Sequence, residues 1–119
     1  AYFSFQHTPY IMDNGDLMLF DNGLYDQRSG GKAFRLDEKN RTATTTINAL
    51  LPADKYTSRM GSCYLMPNGN LLQCSSKTGS VMVTDKKGKV LWECVLHFAP
   101  YRAVYVPMET WSKYFKEIK

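Results

Sequence analysis

The stretch YIMDNGDLM at residues 10–18 decides the fold, because the chain repeats it as YLMPNGNLL at residues 64–72. Each copy sets an Asn-Gly pair between two apolar-rich runs, which is the strongest short-range signal for a β-hairpin. Both residues of a two-residue hairpin loop need a positive φ, so Asn14-Gly15 predicts such a loop in the first copy.

The two-residue loop fixes an expected register for the first hairpin. It places Ile11 opposite Met18 and His7 opposite Asn22, at the open end of the hairpin. Strand ends and turns are where a rigid sheet most often presents functional groups. His7 is therefore the leading candidate for a functional residue.

A four-stranded antiparallel unit surrounds each copy of the hairpin. Residues 34–37 (FRLD) match residues 82–85 (MVTD), so the repeat extends beyond the hairpin. The period fits β-propeller blades, which run to roughly 40–50 residues. The strands predicted for the first unit are residues 8–12, 16–20, 32–37 and 42–50, and the last strand of the second unit is residues 90–96.

The predicted fold class is all-β, as two four-stranded propeller blades in a single partial propeller domain over residues 1–119. The blades are expected at about 1–51 and 52–100, followed by a closing strand and a helix within 101–119. The helix is predicted from apolar residues at helical spacing. The closing strand is predicted at residues 101–106. Propellers close with about four to eight blades, so we expect absent blades or other chains to complete the ring. The helix-spaced apolar residues are Trp111, Tyr114, Phe115 and Ile118.

Composition and charge argue against three classes of protein: disordered chains, nucleic-acid-binding proteins and membrane-spanning proteins. The 119 residues are 44% hydrophobic and 22% charged, which is typical of a globular domain, and 13% aromatic, which favours strands. The net charge of +4 comes from scattered residues, and the cluster at 86–89 (KKGK) is typical of a solvated turn. No apolar run approaches the ~20 residues of a membrane span. We therefore expect no nucleic-acid partner and no membrane partner.

No signal peptide is visible and the chain begins with Ala1, so the compartment, periplasmic or cytoplasmic, stays open.

The cysteines leave two alternatives. A two-residue loop at Asn68-Gly69 would place Cys63 directly opposite Cys74, as a disulfide or as two apposed reduced thiols. The three cysteines and two histidines show no metal-ligand spacing. We expect no metal site.

Several pieces of the sequence, taken together, resemble the bacterial arylsulfate sulfotransferase family of six-bladed propellers. The most specific are Gln-His-Thr at 6–8 and Phe-Asp-Asn-Gly at 20–23, and the resemblance extends over nearly the whole chain as the C-terminal portion of such an enzyme. The remaining pieces are MGS at 60–62, LMPNGNLL at 65–72, DKKGKVLWE at 85–93 and YRA at 101–103.

The resemblance implies transfer of a sulfuryl group from an aryl sulfate donor to a phenolic acceptor, without a nucleotide donor or another cofactor. It implies that the group rests transiently on His7, and a neutral imidazole is a competent nucleophile at neutral pH. It also places a His-x-Asn pair in earlier blades. No His-x-Asn occurs here, so activity is expected to need the absent blades.

Structural alternatives stand beside each candidate residue. His7 could instead cap a strand end, and Asn22 could hold the imidazole tautomer or simply form its turn. Asp21 could orient the ring or cap the same turn. Arg102 could contact sulfate oxygens as a bidentate fork or form a salt bridge at the rim. The alternative function is a non-catalytic propeller segment that acts as a binding or assembly module.

Overall fold

The structure, a computed structural model, describes residues 2–115 and contains two four-stranded antiparallel sheets. In each sheet the strands lie side by side in chain order. The all-β class, the two four-stranded antiparallel repeats and a short C-terminal helix are therefore confirmed. The first sheet contains β1 (Gln6–Ile11), β2 (Leu17–Asp21), β3 (Gly30–Asp37) and β4 (Thr42–Leu50). The second contains β5 (Ser62–Leu65), β6 (Leu71–Ser75), β7 (Ser80–Thr84) and β8 (Val90–Val95).

The predicted register of the first hairpin is wrong by one residue next to the loop and by two residues at His7, which pairs with Phe20 and not with Asn22. Met12 N donates to Asp16 O at 2.9 Å, so the loop has three residues, and Ile11 pairs with Leu17. Gly15 has a φ of +87°, whereas Asn14 is not among the described residues with positive φ. This is a three-residue turn that ends on a left-handed glycine, not a two-residue turn with two left-handed positions.

The second hairpin turns in the same way, and this separates the two cysteines. Met66 N donates to Asn70 O at 2.8 Å. Cys63 therefore pairs with Gln73, and Cys74 lies one step further along the strand. The direct apposition predicted from the sequence is therefore wrong. Both thiols are free and buried, as in the reduced alternative.

The hydrophobic core lies between the two sheets. A buried amide joins the sheets there: Gln73 Oε1 accepts from Gly31 N at 2.8 Å, and Gln73 Nε2 donates to Thr84 Oγ1 at 2.9 Å. A buried amide has to be hydrogen-bonded in this way to offset its desolvation. The core residues are Met12, Met18, Phe20, Ala33, Ile47, Ala49, Leu51, Cys63, Leu71 and Met82.

The chain after the second sheet differs from the prediction. Residues 101–106 form no strand, because they make no continuous backbone ladder with β5. Gly61 N, just before β5, donates to Tyr101 O at 3.3 Å, but the next link runs through a side chain, from Ala103 N to Ser62 Oγ at 3.0 Å. Before the first sheet, residues 2–5 form no strand, and Phe5 has a φ of +58°.

The predicted C-terminal helix is present as α1 (Met108–Tyr114), with no buried residue. The Trp111 and Phe115 rings stack at 4.1 Å, and Ile118 lies outside the described residues. Within residues 2–115, no helix has the length and apolar character needed to cross a membrane.

Candidate active site

His7 lies in β1 at a local break in the strand pairing. It pairs with Phe20, and the register shifts between His7 and Tyr10. Thr8, inside this bulge, has a φ of +50°, which is a strained conformation for a β-branched residue. Bulges of this kind redirect a neighbouring side chain. Here the half-buried His7 ring meets the turn that follows β2.

His7 Nδ1 lies 2.7 Å from Asn22 Oδ1. The two side chains therefore meet as the sequence predicts, although the register behind that prediction is wrong. Asn22 is fully buried, and its Nδ2 donates to Thr57 O and to Met60 O, each at 2.8 Å.

These contacts determine the tautomer of the imidazole. A carbonyl oxygen can only accept, so the amide atom that faces the two carbonyls must be the NH₂ group of Asn22. The atom that faces His7 is then Oδ1, which also only accepts. Nδ1 of His7 therefore carries a hydrogen and donates it to Asn22. In the neutral ring this leaves the lone pair on Nε2.

Asp21, the second candidate to orient the ring, caps the turn instead. Its Oδ1 accepts from Ser4 N and Gly23 N, each at 2.9 Å. Its Oδ2 lies 2.5 Å from Lys32 Nζ. Both carboxylate oxygens are occupied by backbone amides and a lysine, so the structural alternative accounts for this residue.

Arg102 is exposed, and its contacts lie on the second sheet and its own segment. Nη1 lies 3.4 Å from Tyr64 Oη, and the guanidinium lies 5.2 Å from the centre of the Tyr101 ring. Within residues 2–115, the one side chain hydrogen-bonded to His7 is that of Asn22. The structure therefore joins His7 and Asn22 directly, and among the described contacts no hydrogen bond joins Arg102 to either of them. No group of three or more His, Cys, Asp or Glu side chains gathers in the described part of the chain.

A family model described as Arylsulfotransferase (ASST) matches residues 1–97. The chain belongs to the arylsulfotransferase family. No curated protein and no solved structure matches it. The matched range includes both sheets and ends before residues 101–106. The resemblance stated from the sequence is thereby confirmed at the level of the family.

Membership of the arylsulfotransferase family indicates sulfuryl transfer in general, with aryl sulfates and phenols as the substrates. Such chemistry needs a nucleophile with an available lone pair or a base to produce one. In this arylsulfotransferase-family chain, Nε2 of His7 has the lone pair, because Asn22 holds the hydrogen on the other nitrogen.

Sequence reasoning missed the residues that hold Asn22. These are Ser29, Thr57 and the backbone carbonyl of Met60, which come from the loops before β3 and β5. Every residue has a carbonyl, so no sequence pattern marks the two that matter here. The single available signal was the MGS piece at 60–62, which contributes to the family resemblance.

Proposed function

We propose that this chain is the C-terminal part of an enzyme that transfers a sulfuryl group from an aryl sulfate to a phenol through a covalent intermediate on Nε2 of His7. The observation that carries the proposal is the 2.7 Å contact between His7 Nδ1 and Asn22 Oδ1, with the Asn22 amide held by two carbonyls. Family membership supports the reaction class, and the contact supports the choice of nucleophile.

In the first half-reaction, the lone pair of Nε2 attacks the sulfur of the aryl sulfate. An S–N bond forms while the S–O bond to the aromatic ring breaks, and the phenolate leaves with the bonding electrons and takes a proton from water. The ring keeps its hydrogen on Nδ1 and becomes positively charged. Asn22 Oδ1 stabilises this charge by accepting a hydrogen bond from Nδ1–H. Because Asn22 is a neutral amide, it does not remove the proton.

In the second half-reaction, the acceptor phenol attacks the sulfur of the sulfurylated ring. An S–O bond forms, the S–N bond breaks, and the electron pair returns to Nε2, while the phenol's proton passes to water. The positive charge retained on the ring makes the imidazole a better leaving group. Donor and acceptor thus react in turn, so ping-pong kinetics follow.

The sulfuryl oxygens carry negative charge and need cationic or hydrogen-bonding partners. Arg102 is the proposed residue of this kind in the chain. Its guanidinium is exposed and has a single long hydrogen bond, at 3.4 Å to Tyr64 Oη, among the described contacts. A guanidinium presents a planar fork of donors, which is well matched to a sulfate group.

We also propose that the chain is part of a larger propeller, with one domain over residues 1–119 divided at about 51 and 100. The support is the face-to-face packing of two sheets with the same strand order, as neighbouring blades would have. Large apolar side chains remain exposed on the second sheet, including Trp92 and Val95. Such surface is typical of a face that another element covers, here the remaining blades of a six-bladed ring, in the same chain or in another.

The test is sulfuryl transfer from 4-nitrophenyl sulfate to a phenol, measured by release of nitrophenolate with the 119-residue chain, alone and with the remaining blades. His7→Asn should abolish transfer, while His97→Asn, at an exposed histidine, should leave it unchanged. Equal transfer by the two variants contradicts the assignment of the nucleophile. A binding or assembly module, the alternative function, predicts no transfer in either setting.

A further inference from the structure

Beyond the contact between His7 and Asn22, a second layer of buried polar groups fixes the direction of the Asn22 amide. We propose that Ser29 and Thr57 are positioning residues that select the tautomer of His7. Through them, the loop that leads into the second sheet decides which nitrogen of the first sheet's histidine has the lone pair. The catalytic consequence rests on the proposed function, but the tautomer itself can be measured without catalysis.

Ser29 joins the backbone of Asn22 to the backbone of Thr57. Its hydroxyl donates to Asn22 O at 2.8 Å and accepts from Thr57 N at 3.0 Å. A serine hydroxyl has one hydrogen to donate, and Asn22 O is the nearer of the two carbonyls it faces; Thr57 O lies at 3.2 Å. Since Ser29 is buried, water cannot replace these bonds.

Thr57 is also buried, and its hydroxyl fixes the loop that carries the carbonyls. Oγ1 donates to Arg59 O at 2.7 Å, which curves residues 57–59 into a turn. The same oxygen accepts from Lys77 N at 3.1 Å, which fastens this turn to the segment after β6. The direction of Thr57 O, the first acceptor for Asn22 Nδ2, follows from these two bonds.

Met60 supplies the second acceptor from a strained backbone. Its φ is +56°, in the region that favours glycine, and Gly61 follows with a φ of +114°. A Cβ at Gly61 would come within 2.4 Å of the Phe20 ring, so the chain passes too close to the first sheet for a side chain there. This close approach turns Met60 O towards Asn22 Nδ2, at 2.8 Å.

Reversing the Asn22 amide would place its oxygen against two carbonyl oxygens, which is electrostatically unfavourable. It would also present the NH₂ group to His7, so that Nδ1 would have to accept and the hydrogen would move to Nε2. That tautomer has no lone pair on Nε2. The positions of the carbonyls of Thr57 and Met60 therefore determine which ring nitrogen can attack.

The test is the tautomer of His7 in the ¹⁵N-labelled 119-residue chain, read from two-bond ¹H–¹⁵N correlations at a pH where the ring is neutral. We expect a protonated Nδ1 and an unprotonated Nε2 for His7, with the exposed His97 as a reference in the same spectrum. A wild-type His7 with its hydrogen on Nε2, or with mixed tautomers, overturns the proposal without any variant.

Two variants then test the residues themselves. Ser29→Ala and Thr57→Val remove one hydroxyl each and should convert the single tautomer of His7 into a mixture. The matched control is Ser80→Ala, which removes a buried hydroxyl bonded to Glu93 and should leave the His7 signals unchanged. An unchanged His7 tautomer in folded Ser29→Ala and Thr57→Val overturns the assignment.

The two proposals fail in different ways. A fixed Nδ1–H tautomer without any sulfuryl group on His7 contradicts the proposed function alone. Sulfurylation of a His7 whose tautomers are mixed contradicts the positioning role alone.

Discussion

The imidazole of His7 and the side-chain amide of Asn22 are hydrogen-bonded at 2.7 Å. His7 lies in β1, and Asn22 lies in the turn that follows β2. Since Nδ2 of Asn22 is committed to two carbonyls, this contact has a direction, from His7 to Asn22. A histidine held in this way presents Nε2 as its free nitrogen.

Asn22→Ala should lower the rate of sulfuryl transfer, because the ring then loses the acceptor that holds its hydrogen on Nδ1. A hydrogen bond worth about 1–2 kcal/mol corresponds to roughly a 5–30-fold decrease in kcat/KM. The measurement is nitrophenolate release under conditions where the variant is folded. Asn48→Ala, at an exposed position of β4, is the control and should retain the wild-type rate. Equal rates for the two variants would show that Asn22 only shapes its turn.

Asp16 should make the stability of the first hairpin depend on pH. The hydrogen bond from Arg35, together with one from Thr46, lowers the pKa of Asp16 below its ordinary value of 3.8, against the opposite effect of burial. A lowered folded-state pKa stabilises the fold above the unfolded-state value, and this stabilisation is lost as the pH falls through the folded-state pKa. We therefore expect the urea midpoint to fall as the pH is lowered below about 4.

Asp16→Asn should lower the urea midpoint at neutral pH and flatten its dependence on pH in the acid range. Asp54→Asn, at an exposed position, serves as the comparison and should behave as the wild type. A wild-type acid dependence that persists in Asp16→Asn would exclude Asp16 as its source.

Gly31→Ala should destabilise the contact between the sheets. The added Cβ would lie 2.3 Å from Cys63 Sγ, and such overpacking costs about 1–3 kcal/mol. The penalty, measured by urea unfolding, should be smaller in a Cys63→Ala background, because the sulfur is then absent. Equal penalties in the two backgrounds would mean that Cys63 is not the group that Gly31 accommodates.

The three thiols should differ in reactivity. Burial raises the pKa of Cys74 to about 11 and also raises that of Cys63, so both are protonated and shielded, whereas Cys94 is partly exposed. In the native protein at about pH 8, an alkylating reagent should modify Cys94 alone, since the thiolate is the reactive form. In denaturant without reductant it should modify all three. A denatured thiol count of one would instead show that Cys63 and Cys74 are joined.

Local patterns were enough to predict the sheets. The strand Thr42–Leu50 has the predicted bounds, because a run of β-branched residues between turn signals identifies a strand by itself. The repeat of the Asn-Gly hairpin predicted the second sheet from the first. The register was not accessible in this way, since two- and three-residue loops share the Asn-Gly signal and differ in the backbone conformation of Asn14.

The sequence was enough to identify the two side chains that meet at the candidate site, but not the groups that hold Asn22 in place. His7 and Asn22 were both identified, because the turn brings them together under either register. Arg102 was expected on a strand at residues 101–106, and the structure contains no strand there. The carbonyl of Met60 reaches Asn22 because tertiary packing against Phe20 imposes an unusual backbone conformation on residues 60–61. No local sequence pattern predicts that conformation.

The most direct measurement of the proposed reaction is the site of sulfurylation. The chain, alone and with the remaining blades, would be incubated with an aryl sulfate in the absence of acceptor, digested at neutral to alkaline pH, and mapped by mass spectrometry. We predict a sulfuryl group on the peptide that contains His7, absent in His7→Asn and released when a phenol is added. A sulfuryl group on another residue, or turnover with no covalent adduct at His7, would contradict His7 as the nucleophile.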